Sequence, residues 1–99
     1  MIIYDIEPTE FYLSQNYPNP FKEKTVIKYC IPYRTKVKLE VFNPEGELIK
    51  ILQDEEKCTG TYEVEFDAVG LLDGNYIYRF QASYGASAIV KTKIMSLKN

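Results

Sequence analysis

With 99 residues, a net charge of −2 and 45% apolar content, the chain has the size and palette of one folded domain rather than of a disordered tail. It has no histidine and only two cysteines, so no Ser-His-Asp, Cys-His or structural zinc site can be assembled from it. No G-x-S-x-G, P-loop or G-x-G-x-x-G stretch occurs, and no apolar run approaches the ~20 residues of a membrane span. The sequence therefore predicts no catalytic residues, no metal and no cofactor, and it argues against nucleic acid and membrane insertion.

Nine Tyr and five Phe without Trp suit strands, because aromatic rings fit pleated, half-buried surfaces. Residues 1–10 read as a lead-in or linker, in which Asp5, Glu7 and Pro8 dilute an apolar start. From residue 11 the chain alternates in short runs separated by turn residues, the spacing of a sandwich. Residues 11–15 form a first short strand with Phe11 and Leu13 on one face. Residues 25–31 place Ile27, Tyr29 and Ile31 inward, and Pro32 ends the strand because it cannot donate to a ladder.

Residues 36–42 alternate most cleanly, with Val37, Leu39 and Val41 inward against Lys36, Lys38 and Glu40 outward. Arg34, Lys36 and Lys38 make a basic stripe, which a solvated strand face explains as well as a phosphate-binding surface does. Asn43-Pro44-Glu45-Gly46 is a turn: Asn opens it, Pro fixes φ and Gly closes it. Residues 47–53 form a strand anchored by Ile49 and Leu52, and residues 54–59 read as a polar loop. Residues 60–67 turn Tyr62, Val64 and Phe66 inward. Residues 75–84 and 88–97 complete the set around a hairpin containing Gly85. The expected fold is an all-β, immunoglobulin-like antiparallel sandwich of about seven strands over residues 11–99.

Two stretches are less ordinary. Gly74, two residues before Tyr76 at the entry to a strand, has the pattern of a tyrosine corner, in which the phenol hydroxyl bonds backbone a few residues upstream. Tyr76, Tyr78 and Phe80 then point inward and Arg79 to solvent, so aromatics fill the space that a disulfide spans in antibody domains. Asn16-Tyr17-Pro18-Asn19-Pro20-Phe21 is a stiff crossing strap, since each proline removes a donor and restrains the residue before it. Tyr17 and Phe21 are expected to fold inward and plug one end; an aromatic sugar- or peptide-binding site is the sharper alternative.

The ordered pieces LSQNYPNPF, TVIKYCIP, VKLEVFNPEGELI, TGTYEVEFD, LLDGNYIYRF and KTKIMSLK carry a resemblance from about Phe11 to Lys98. They resemble the type A, immunoglobulin-like C-terminal sorting domain of type IX secretion cargo in Bacteroidota, and also the related module of flagellar hook-capping proteins. Lys22-Glu23 departs from the Asn-Pro that commonly continues the strap, and the hairpin over 83–91 is longer than usual.

The resemblance implies a non-catalytic recruitment tag. A cargo domain upstream would pass through the periplasm and be led to an outer-membrane translocon, with shuttle and sortase proteins as partners, then be secreted or held at the cell surface. Family sorting information near the chain end maps onto Lys91, Thr92, Lys93, Met95, Leu97 and Lys98, on a final strand that alternates poorly, as an exposed edge would. An ordinary final strand guarded by lysines is equally good physics. Two other functions stay open on the residues alone: a structural or adhesive spacer, and a carbohydrate-binding appendage of a secreted enzyme. Pairing of Cys30 with Cys58 also stays open, because Cys30 lies on an outward face and Cys58 precedes Gly60 in a loop.

Overall fold

Alternating apolar and polar residues with no helical period leave strand pairing as the way to satisfy the backbone, and the chain folds as two antiparallel sheets. The computed structural model describes residues 9–99, so most of the lead-in assigned to residues 1–10 lies outside the described residues. In chain order the strands are β1 (Tyr12–Leu13), β2 (Lys24–Ile31), β3 (Thr35–Phe42), β4 (Leu48–Lys57), β5 (Gly60–Asp67), β6 (Gly74–Tyr84) and β7 (Ser87–Leu97). One sheet has the order β1-β2-β5 and the other β4-β3-β6-β7. The chain changes sheet between β2 and β3, β4 and β5, and β5 and β6, the immunoglobulin-like division of a sandwich.

The inward faces meet as the alternation predicts. Ile27, Tyr29 and Ile31 of β2, Val37, Leu39 and Val41 of β3, Phe66 of β5 and Tyr76, Tyr78 and Phe80 of β6 are all buried. Tyr29 lies between Tyr62 and Phe80, with ring centroids 5.3 and 5.1 Å away. Each buried phenol keeps a partner: Tyr29 Oη donates to Gln53 Oε1 at 3.1 Å, and Tyr78 Oη donates to the Ser14 carbonyl at 2.6 Å. The tyrosine corner is present, with Tyr76 Oη donating to the Leu72 carbonyl at 2.6 Å. Gly74 has a steric cause, since a Cβ there would stand 3.0 Å from Cγ of Pro44 in the 43–46 turn. That turn closes with the Gly46 amide on the Asn43 carbonyl at 2.9 Å, and Asn43 Oδ1 accepts from the amides of Glu45 and Glu47.

Four expectations change. The first strand is only two residues long, although Leu13 is buried and Phe11 packs against the core as its parity requires. Residues 54–57 continue β4 rather than forming a loop, because their acids lie across from the basic stripe: Glu56 meets Arg34 at 2.8 Å and Asp54 meets Lys36 at 3.7 Å. Those pairs occupy Arg34 and Lys36, and Lys38 meets Glu40 at 3.7 Å. Ile49, named as an anchor of that strand, is exposed, while Leu52 does pack against the core. Glu40 points away from the core but is only 4% exposed, because Arg79 covers it with bonds of 2.7 and 3.1 Å and lies over the Phe42 ring. Arg79 is therefore half-buried rather than directed freely to solvent.

The buried phenols give the fold an alkaline limit. Burial is the main cause that pushes the Tyr78 phenol up to about 12, and burial, with Tyr62 and Glu55 adding to it, also raises Tyr29. A phenol whose folded pKa exceeds its unfolded value keeps its full stabilising contribution below the unfolded pKa, here about 10, and loses it as pH rises toward the folded value. Thermal melts should hold a flat midpoint up to about pH 9.5 and fall between about pH 10 and 12, less steeply for Tyr78→Phe. A wild-type midpoint unchanged through that window would contradict the burial of these hydroxyls.

Candidate functional site

Two stretches singled out in the sequence, the strap and the final strand, come together along one border of the sandwich. The strap begins on the first sheet, where Tyr17 exchanges both backbone hydrogen bonds with Val26 at 2.9 Å. It ends on the second sheet, where Phe21 pairs in parallel with Leu97: the Phe21 amide donates to the Ser96 carbonyl and the Lys98 amide to the Phe21 carbonyl, each at 2.9 Å. Both Tyr17–Pro18 and Asn19–Pro20 are cis.

Side chains complete the seam. Asn19 Oδ1 accepts from the Ser96 amide at 2.9 Å, and Gln15 Nε2 donates to the Ile94 carbonyl at 2.7 Å. Asn16 is buried and donates through Nδ2 to the Pro18 carbonyl and to Thr25 Oγ1, while the Thr25 hydroxyl donates to the same carbonyl at 2.8 Å. Desolvated polar groups are costly unless partnered, and among the described residues no buried side-chain nitrogen or oxygen lacks a partner.

The two strap aromatics have opposite fates, which corrects the expectation that both plug the sandwich. Phe21 is buried against Phe66, centroid to centroid 6.2 Å, whereas Tyr17 is 80% exposed. The bridge to Val26 is the cause, since it sets Tyr17 on the outer face that Val26 shares. Pro18 and Pro20 border an open hollow of about 580 Å³ beside Lys22 and Asn99.

The final-strand residues fall into three groups. Met95 and Leu97 are core residues. Lys91 and Lys93 share their parity, lie opposite Phe80 and Tyr78 in the middle of the strand, and are half-buried. Thr92 is on the outer face across from Arg79, and Lys98 lies just beyond the strand, exposed. The three lysines are thus not one surface, although none of them is in an ion pair among the described residues. Sequence reasoning missed Thr25, for which the inward parity of residues 25, 27, 29 and 31 was the available signal, and it gave Gln15 no role, although Gln15 opens the conspicuous strap stretch.

Both cysteines are free thiols. Cys30 Sγ lies 3.3 Å from Thr61 Oγ1 on the β2–β5 face, and Cys58 Sγ accepts from the Arg34 guanidinium at 3.7 Å. Among the described residues no group of His, Cys, Asp or Glu side chains is placed to hold a metal ion, and no helix is long and apolar enough to cross a membrane.

A sandwich fold is shared by many unrelated functions, so the fold and its strap do not by themselves name one. The model of the secretion-system C-terminal sorting domain matches residues 15–95, and the chain belongs to that family. It is a type IX sorting domain, and the cargo it serves is a secreted or cell-surface protein. No curated protein matches the sequence significantly. Among solved structures, dimeric latent PorU from Porphyromonas gingivalis is similar in fold, with a TM-score of 0.68 and 18% identity over 97% of this chain. The chain spans 10% of the length of that structure.

Proposed function

We propose that the domain delivers a cargo fused upstream of residue 11, through the periplasm, to an outer-membrane translocon, with shuttle and sortase proteins among its contacts. The proposed recognition surface is the strap, Asn16 to Phe21, with the final strand: Lys91, Thr92, Lys93 and Lys98 supply contacts, and Met95 and Leu97 hold the strand in place. One observation carries this reading. The strap and the strand's last residues are joined by the Phe21–Ser96, Lys98–Phe21, Ser96–Asn19 and Gln15–Ile94 bonds, so the two segments meet along one border of the sandwich. The family match over residues 15–95 favours this reading over a spacer or a carbohydrate-binding appendage.

The test must separate recognition from folding, because deleting the last strand also removes Met95 and Leu97 from the core. Replacing Lys91, Lys93 and Lys98 with Glu takes the net charge from −2 to −8 and leaves both apolar residues in place. A companion with Gln at the same positions removes charge without introducing repulsion. None of the three lysines is in an ion pair among the described residues, so no pair is lost, and because Lys91 and Lys93 are half-buried a thermal melt of each variant is run beside the export assay to show that it folds. A reporter fused ahead of the domain, in a host with the type IX machinery, should lose surface or medium delivery with the Glu variant and lose part of it with the Gln variant. Folded variants delivered as efficiently as the parent would show that these lysines are not read.

A further inference from the structure

β7 is an edge strand, and only part of its edge is covered. In an antiparallel ladder, successive residues aim both backbone groups alternately at the neighbour and away from it. The strap identifies which residues of β7 aim away, since it takes the amide and carbonyl of Ser96 and the carbonyl of Ile94. The same alternation turns the amides and carbonyls of Ala88, Val90 and Thr92 outward, and among the described residues none of these has a partner. This stretch is regular strand, paired without a register shift from Tyr84–Ser87 to Gly74–Leu97. The opposite edge of the sheet, β4, is broken by register shifts and carries Asp54, Glu55 and Glu56.

The side chains beside the open edge are of two kinds. On the outer face, Val90 and Ile94 are 55% and 58% exposed, and Ile94 lies next to Ile77. On the inner face are Lys91 and Lys93, with no acid paired to either. A hollow of about 400 Å³ lined by Gln15, Ile77, Thr92, Lys93 and Ile94 lies where the strap leaves the edge. Inward-pointing lysines also guard edges against chance pairing, but a guarded edge does not need exposed β-branched residues alternating with them.

We infer that residues 88–92 accept an added strand from a partner protein whose segment alternates acidic and β-branched apolar residues. The acids face Lys91 and Lys93, the apolar residues cover Val90 and Ile94, and the backbone groups of Ala88, Val90 and Thr92 complete the ladder. The inference rests on the sorting reading only for its biological use, because the binding itself can be measured without any secretion machinery.

The probe is a short fluorescent peptide of alternating valine and glutamate, titrated against the folded domain by anisotropy, with a valine–lysine peptide as control. Saturable binding of the acidic peptide alone is expected, and hydrogen exchange should slow at the Val90 and Thr92 amides. Thr92→Pro removes an outward amide and leaves the β6 ladder intact, so it should weaken binding by about tenfold or more while the melt stays cooperative. Lys91→Glu with Lys93→Glu should exchange the preference to the lysine peptide. No saturable binding, binding indifferent to Thr92→Pro in a folded domain, or protection confined to other strands would each overturn the inference. Self-association of the domain through β7 would overturn it too, by naming a second copy as the occupant.

Discussion

Tyr78→Ala should cost on the order of 3–5 kcal/mol, the range for truncating a fully buried aromatic. Tyr78 is completely buried in the middle of β6, and its hydroxyl ties that strand to the Ser14 carbonyl near the start of the strap. The substitution therefore opens a cavity and also leaves a carbonyl without its donor. A domain of this size has only ~5–15 kcal/mol of stability, so a large fraction of it should vanish. Lys38→Ala is the matched control, because Glu40 keeps its bonds to Arg79 when Lys38 is removed. It should stay within ~0.5 kcal/mol. Urea midpoints for the two variants decide the matter, and equal midpoints would mean that the faces of the second sheet are assigned wrongly.

The second large effect separates the two aromatics of the strap. Phe21→Ala should cost about 3–5 kcal/mol, as for other buried rings, because Phe21 is buried against Phe66 and its backbone bridges to Leu97. Tyr17→Ala should change stability by no more than ~0.5 kcal/mol, since its ring is in solvent. The same urea melts measure both. A Tyr17 variant as damaged as the Phe21 variant would place both rings in the core and contradict the strap geometry. Read together with export, the pair is more informative. A Tyr17 variant that stays folded but is no longer delivered would put the exposed ring within the recognised surface.

What the sequence makes legible here is whatever depends on local alternation. The inward faces of β2, β3, β5 and β6, the 43–46 turn and the Tyr76 corner all follow from residues adjacent to one another in the chain. What it conceals depends on partners far away. Tyr17 points outward because its backbone bridges to Val26, and nothing near Tyr17 announces that bridge. Glu40 becomes buried because Arg79 lies across from it on β6. Residues 54–57 look like a polar loop until their acids find the lysines and arginine of β3 and its approach. In β7 the inward parity continues past the core, so Lys91 and Lys93 occupy positions that the pattern alone would assign to solvent. The strap and the final strand were each conspicuous in the sequence, but their union through Gln15, Asn19 and Phe21 was not.

That union bears on the sorting role, since a change in either segment alters the other. The most direct measurement of the central claim is delivery of a heterologous reporter carrying residues 9–99 at its C-terminus. It is compared in a host with an intact type IX translocon and in the same host lacking it, with periplasmic folding of the domain checked in both. The account predicts surface or medium delivery only where the translocon is present, with the reporter retained in the periplasm otherwise. A folded domain that leaves the reporter in the periplasm of the intact host, or equal delivery in both hosts, would contradict it.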